Sequence, residues 1–599
     1  MTFWVIASYF LGGIVAYVLA RPSRKIGAFV ALLFSIYPLY ALIPALDGGF
    51  YLRFTVIPYY LHLSFRLTLL GWFFALIAAT LCSLSLFSAY SEKRGSFFLL
   101  SSMFSAGGLM GVFLAADYLT LFIFFEIMAF FSAFTFIREH RRSALKYIIY
   151  SLVGSYAFLA ALLVINRSTG SLEITPLSGF GGSVPAVMSL FILAFWVKSA
   201  VMPFHPWAPS AYADSPHSYT PFFSGALSKS GVYGLVLAFF YIFAGFFKSH
   251  HAFGYIFAWI GALTALFAGI YALLQDDAKK LLAYSSISQL GYVAFGLGLG
   301  TSLSITGSLF VALGHAVFES LLFFVIAAVY IRTGTTMLTE MGGLIKKMPI
   351  SFIALLFGII AAAGIPPTVG FPGKWMLYEA VLEKSYPLLA GVIFAASITA
   401  FLYCYRLIYS IFLGPLKKEF RDVREAPFPA LVPLLLLLIP LLFFGLFPGY
   451  VVDVTDSILR EFGYLGVPHT PAKLLSGLGT FNGLAVGITM GAAFVIAFLV
   501  HAVFSRSRKV SELNNYTAGE VAEGVSMHYV ADFYKFIERE LHGFLKLRVE
   551  ALFNWIAEGI GGLGEVLRRV YAGDIQAYLV YLILFLGFLF TLYRGVLRW

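Results

Sequence analysis

The chain has 599 residues, 60% of them hydrophobic and 12% charged, with 64 Phe and a mean hydropathy of +0.89, which excludes a water-soluble globular domain. Its only two cysteines, Cys82 and Cys404, sit inside apolar runs. That excludes an iron–sulfur cluster, a thiolate zinc site or a disulfide framework within this chain, so no cofactor or metal is expected in it and any redox chemistry belongs to partner subunits.

The net charge of +11 is distributed as in a membrane protein and not as in a nucleic-acid binder. Basic residues crowd alternate loops, with Arg138, Arg141, Arg142, Lys279, Lys280, Lys346, Lys347, Lys417, Lys418, Arg421 and Arg424 among those on one side. The opposite loops hold few, such as Arg53, Arg66, Arg167 and Lys473. A bias of about three to one places the basic loops in the cytoplasm and the N-terminus outside a multi-pass cell membrane protein.

Apolar runs that can cross a hydrocarbon core of about 30 Å, at about 20 residues each, recur about 16 times. The first, 2 to 20, lacks a preceding basic residue and a following small-residue cleavage pattern, and reads as a retained helix and not a signal peptide. Spans two and three, near 26 to 45 and 67 to 90, complete an N-terminal segment, 1–95. Spans four to eight lie near 97–115, 117–137, 144–165, 184 into Pro203, Pro206 and Pro209, and 219–247, forming a block over 96–249. Spans nine to thirteen, near 252–275, 281–299, 303–331, 350–382 and 387–412, form a second block over 250–413.

Two consecutive five-span blocks must have opposite orientations, which predicts an inverted repeat. In each block the fourth span is interrupted by Pro and Gly beside a lysine: Lys198 before Pro203, and Lys374 after Pro372. Paired broken helices point to an ion site near the midplane, because unwound backbone there must line a polar cavity. Two more spans, near 429–447 and 479–503, fall in 414–510. The segment 511–572 is amphipathic from about 530 to 560 and is expected to lie laterally along the cytoplasmic surface, across neighbouring subunits or on lipid. A last span closes the chain in 573–599. The fold class is therefore an all-α polytopic membrane protein with two inverted five-helix repeats and a C-terminal lateral helix.

Ionisable residues inside these spans are costly unless paired, hydrated or functional. Glu126, Lys198 and Lys229 have apolar residues around them; His315 and Glu319 stand four apart on one helical face, and Lys374, Glu379 and Arg406 follow. A buried Glu and Lys in mutual reach can change protonation when their neighbours change, as a proton relay requires. Each residue alone could be a satisfied structural pair; the set resists that reading. Arg406, His205 and His217 are support or proton-access candidates, whereas Asp117 and Asp214 read as solvated boundary residues. The two loop histidines lack metal-site spacing.

These residues resemble the antiporter-like, ion-translocating subunits shared by respiratory complex I, membrane-bound hydrogenases and multisubunit sodium/proton antiporters. The likeness rests on Lys198-Ser-Ala-Val-Met-Pro-Phe-His-Pro-Trp207, Ser224-Gly-Ala-Leu-Ser-Lys-Ser-Gly-Val-Tyr-Gly234, Lys280-Leu-Leu-Ala-Tyr-Ser-Ser-Ile-Ser-Gln-Leu-Gly-Tyr292, Met341-Gly-Gly-Leu344 and Gly370-Phe-Pro-Gly-Lys374. It implies a Glu126–Lys198 pair, Lys229 as the central lysine, His315 as its neighbour and Lys374 as the distal lysine. Glu319 departs from the family's His-Ala-x-x-Lys pattern by placing an anion where a cation is usual.

The eighth-span pattern is nearer the hydrogenase and antiporter branches, which implies a redox-driven complex with other membrane subunits as partners and protons, or sodium and protons, as cargo. The competing readings are a stand-alone secondary transporter and a scaffold with an inactive path.

Overall fold

In the computed structural model the described residues are 2–44, 51–57, 61–92, 94–177, 183–504 and 533–545, with Trp555, Glu558, Gly559 and Gly562. Among them, ten helices are long and apolar enough to cross a membrane, and four shorter apolar ones accompany them. The helices are α1 (Thr2–Leu19), α2 (Arg24–Leu42), α3 (Leu69–Ser88), α4 (Ser96–Leu114), α5 (Tyr118–Phe134), α6 (Arg141–Thr169), α7 (Val184–Lys198) and α8 (Trp207–Asp214). Then come α9 (Thr220–Ile242), α10 (Ala244–Ser249), α11 (His251–Leu273), α12 (Ala278–Leu299), α13 (Ser302–Thr333), α14 (Pro349–Ala363), α15 (Gly370–Glu383) and α16 (Pro387–Ile411). The series ends with α17 (Phe428–Leu446), α18 (Gly449–Glu461), α19 (Gly483–Phe504) and α20 (Lys535–Leu545).

Helix starts follow local chemistry. Asp117 accepts a hydrogen bond from Thr120 N at 2.7 Å to cap α5, Asp277 accepts from Lys280 N at 2.9 Å to cap α12, and Thr301 and Ser304 form a reciprocal capping box on α13. Burial then sorts the helices. In α9 and α13, 94% of the apolar window is enclosed by protein, against 6% in α19. The two helices that carry Lys229, His315 and Glu319 are therefore the interior of the bundle, while α19 shows its side chains to the surroundings. The helix α12, buried except at Lys280 and Tyr284, is too polar to count among the ten because of Ser285, Ser286, Ser288 and Gln289.

Both interruptions expected from Pro and Gly are real breaks. Between α7 and α8 the indole of Trp207 donates to Val197 O at 2.9 Å and that of Trp196 to Val201 O at 3.1 Å, so side chains satisfy carbonyls the helix abandons. Between α14 and α15, Gly364 adopts φ +76, a left-handed geometry that ends α14. Val369 N then donates to Leu441 O of α17 at 2.8 Å.

Three features differ from the expected run of apolar spans and plain loops. Tyr51–Ile57 (β1) and Leu61–Arg66 (β2) form an antiparallel hairpin. His469–Thr470 (β3), Lys473–Leu475 (β4) and Thr480–Asn482 (β5) form a second small sheet, and α18 is a short amphipathic helix inside what read as a loop. These segments lie between spans, where alternation is too short to register as strand. The lateral segment and last span fall mostly outside the described residues; α20, in a separate compact unit beginning at Lys535, is the helical part that is described.

Candidate functional site

The site is built by helices that can approach closely. A Cβ on Gly225 of α9 would stand 2.0 Å from Ser320 Oγ of α13, and one on Gly231 would stand 2.2 Å from Ser199 Oγ beside the α7 break. These two glycines flank Lys229 and let α9 wedge between α7 and α13. Around Lys229, α9 is not regular α-helix: a π turn spans Phe223–Leu227, which frees the Ser224 carbonyl to accept from Lys229 Nζ at 3.2 Å.

Lys198, Lys229, His315, Glu319 and Lys374 are each at most 2% exposed. Lys198 ends α7 and donates to the Tyr147 hydroxyl of α6, with its ammonium 5.5 Å from the Phe125 ring centroid. Glu126 on α5 is only half-buried; it lies beside Ser155 and feels the Lys198 charge, yet among the described residues no ion pair joins the two. Lys229 Nζ contacts His315 Nδ1 directly and reaches Ser228 Oγ at 3.3 Å. One proton can serve that contact, held either as Lys229 ammonium donating to Nδ1 or as an Nδ1–H donating to the neutral amine. His315 Nε2 is buried without a hydrogen-bond partner among the described residues.

Glu319 does not bond to His315 or Lys374. Its Oε1 accepts from Ser286 at 3.1 Å and its Oε2 from Ser285 at 3.2 Å, both on α12. Lys374, in the second turn of α15, donates to Ala362 O at 2.8 Å, at the abandoned end of α14. Gln289 Nε2 donates to the same carbonyl at 3.2 Å. Glu379, by contrast, faces the small sheet and accepts from Ser476 Oγ at 2.7 Å.

The remaining sequence candidates are spread around this line. Arg406 donates to Leu273 O at the C-terminal end of α11 and to Asp276 Oδ1 at 2.5 Å, a helix-end anchor. His205 lies buried in the α7–α8 break, its ring 6.5 Å from that of Tyr284. His217 stacks on Tyr330 at 3.8 Å, and burial, with Lys279 and Arg94 nearby, pushes it down to about 2, so the ring stays neutral. Asp117 is a satisfied cap, and Asp214 accepts from Ser143 while facing His140 at 3.6 Å.

Sequence reasoning missed Tyr147, Ser285, Ser286, Tyr403 and Lys279, the last donating to Ser215 O at 2.6 Å. The signal was weak because a serine in a membrane helix usually bonds its own backbone.

A buried line of two lysines, a histidine, a glutamate and a third lysine, flanked by two broken helices, can hold and exchange protons. A family model described as NADH:quinone oxidoreductase/Mrp antiporter, transmembrane, matches residues 115–399. An uncharacterized protein of Methanocaldococcus jannaschii is 32% identical over 401 residues, 64% of this chain and 82% of the relative. A chain of the membrane-bound sulfane sulfur reductase, an archaeal respiratory membrane complex, superposes with a TM-score of 0.88 at 33% identity, covering 98% of this chain and 99% of that one. A chain of respiratory complex I from Thermus thermophilus with bound NADH superposes at 0.67 with 26% identity, covering 76% and 98%. The chain belongs to the NADH:quinone oxidoreductase/Mrp antiporter family of antiporter-like, multi-pass membrane subunits.

Proposed function

We propose that this chain moves protons across the cell membrane as a non-redox subunit of a respiratory-type oxidoreductase, driven by electron transfer in partner subunits. The observation that carries the reading is the buried series from Lys198 through Lys229–His315 and Glu319 to Lys374, a costly set of charges for a span interior unless it is used. The full-length likeness to a chain of the sulfane sulfur reductase complex supports a redox-coupled assembly of that kind or of the membrane-bound hydrogenase kind. Other membrane subunits are its partners. The two broken helices, each with a lysine at the break, support the inverted-repeat reading and an ion path at mid-membrane. The N-terminus lies outside and the basic loops inside.

The test is proton translocation per electron pair, measured with a pH-sensitive dye in sealed vesicles holding the whole native complex. Lys229→Ala is expected to abolish translocation with the complex assembled; wild-type stoichiometry in that variant defeats the proposal. Sodium/proton exchange is the second reading, favoured by the antiporter half of the family description, and sodium-dependent translocation in the same vesicles separates the two.

A further inference from the structure

The two oxygens of Glu319 are held by neighbouring serines that lead in opposite directions. Ser286 Oγ, 3.1 Å from Oε1, lies 2.8 Å from Ser224 Oγ of α9. Ser224 is also the residue whose carbonyl takes Lys229 Nζ at 3.2 Å. Ser285 Oγ, 3.2 Å from Oε2, lies 3.1 Å from the Tyr403 hydroxyl of α16. Ser224, Ser285, Ser286, Glu319 and Tyr403 are all fully buried.

Each serine has one hydrogen for more than one acceptor. Ser285 cannot donate to Glu319 and Tyr403 together, and Ser286 has Leu282 O at 3.0 Å as an alternative to Glu319. Where these hydrogens point must therefore follow the charge on Glu319: toward an ionised carboxylate, and away from a protonated one that itself donates.

Resting on the proton-path reading above, we propose that Ser285 and Ser286 divide traffic at Glu319, with Ser286 serving the Lys229 side and Ser285, through Tyr403, serving the Lys374 side. On the distal branch, ionised Glu319 takes the Ser285 hydroxyl proton on Oε2, and Ser285 Oγ takes the phenolic proton of Tyr403. The Tyr403 oxygen is reprotonated through intervening water, which receives a proton from the Lys374 ammonium as it hands its own on. Lys374 ends neutral, Glu319 ends protonated, and every hydroxyl is restored.

On the proximal branch the carboxyl group turns about Cγ–Cδ to bring its protonated oxygen to Ser286; its proton passes to Ser286, the Ser286 proton to Ser224, and the Ser224 proton to the neutral Lys229 amine after rotation of the Ser224 side chain. Hydroxyl chains of this kind carry protons by exchanging O–H bonds. This branch point is also where the anion at position 319 acquires a use: its two oxygens face two different serines, and rotation of the carboxyl exchanges them, so that a proton taken from Ser285 can be given to Ser286.

The experiment uses the native complex in sealed vesicles, with Lys229→Ala as the control for the underlying reading. Tyr403→Phe removes one buried oxygen and little volume, and is expected to lower protons moved per electron pair at least about fivefold with the complex assembled. Ser285→Ala is expected to match it, Ser285→Thr to restore translocation, and the Ser285→Ala/Tyr403→Phe double variant to be no worse than either single, since both cut one branch. If Lys229→Ala stops translocation while Tyr403→Phe and Ser285→Ala pump normally, the serines merely anchor Glu319 and the divider is overturned. If Lys229→Ala itself pumps normally, it is the proton-path reading that fails.

Discussion

Lys198 and Lys229 have different partners despite similar sequence surroundings, and this separates what their loss should do. Lys198→Ala leaves the Tyr147 hydroxyl without its donor partner, whereas Lys229→Ala takes away one half of a shared-proton contact. Both are expected to cut translocation by about 100-fold or more, the scale of a general acid–base group, with assembly on a native gel unchanged. Tyr147→Phe should be milder and should affect Lys198-dependent flux alone. Glu319→Gln keeps the shape but removes the anion, and Lys374→Ala empties the α14–α15 break. An active distal path predicts that both impair translocation, and unchanged flux in both would mean that the path ends before Glu319. The titratable residues of this line were legible in the sequence because charge inside an apolar run is conspicuous. Their hydroxyl partners were not, because which way a buried Ser or Tyr points is decided by neighbouring helices.

Outside the spans, His469 gives a pH dependence with a defined sign. Burial of the ring opposes its charge, but Nδ1 faces Val467 O at 2.7 Å and Nε2 faces Asp453 at 2.8 Å, with Asp456 at 3.8 Å, and together these raise its pKa above 6.5. A group whose folded pKa is raised contributes stability fully below its unfolded pKa and loses it as pH rises through the folded value. His469→Gln should therefore lower the thermal midpoint at pH 5.5 and change it much less at pH 9. Equal effects at both pH values would show that the ring acts by packing alone.

At the scale of elements, the two broken helices show how sequence punctuation becomes a site. Gly364 answers two demands: its φ of +76 is unfavourable for any residue with a Cβ, and that Cβ would stand 2.7 Å from Lys374 Cδ. Gly364→Ala should cost about 1–2 kcal/mol from the left-handed backbone alone, lower the melting temperature and displace Lys374 from Ala362 O. A variant with wild-type melting and translocation would show that the break tolerates a side chain. Helix positions were legible in the sequence because spans must be long and apolar. The hairpin β1–β2, the sheet β3–β5 and α18 were not. Their strands run from two to seven residues, and contacts such as Gly449 N to Pro471 O at 3.0 Å hold them against the helix ends instead of any period of their own.

At the scale of the whole molecule, loop contacts sort the chain into two faces, which gives the charge asymmetry a structural counterpart. On one face Arg94 pairs with Glu139 at 2.8 Å, Glu92 takes Ser218 N at 2.5 Å, Arg332 donates to Glu425 O at 2.9 Å and Lys417 to Thr339 O at 3.0 Å. These contacts tie together the loops that hold most of the basic residues. The opposite end of the helices carries the small sheet, where Gly477 N donates to Glu383 at 2.9 Å and Ser476 to Glu379 at 2.7 Å. The positive-inside rule predicts that the first face is the cytoplasmic one. Single cysteines at exposed Asp422 and Leu465 test this, since the native Cys82 and Cys404 are both buried and should not react with a polar maleimide. In sealed right-side-out vesicles Leu465→Cys should label at once and Asp422→Cys only after permeabilisation. Labelling of both from one side would mean that an even number of crossings, and not the single span α17, separates the two loops. A clean reversal would leave the fold intact but invert the direction in which the proton path faces the two compartments.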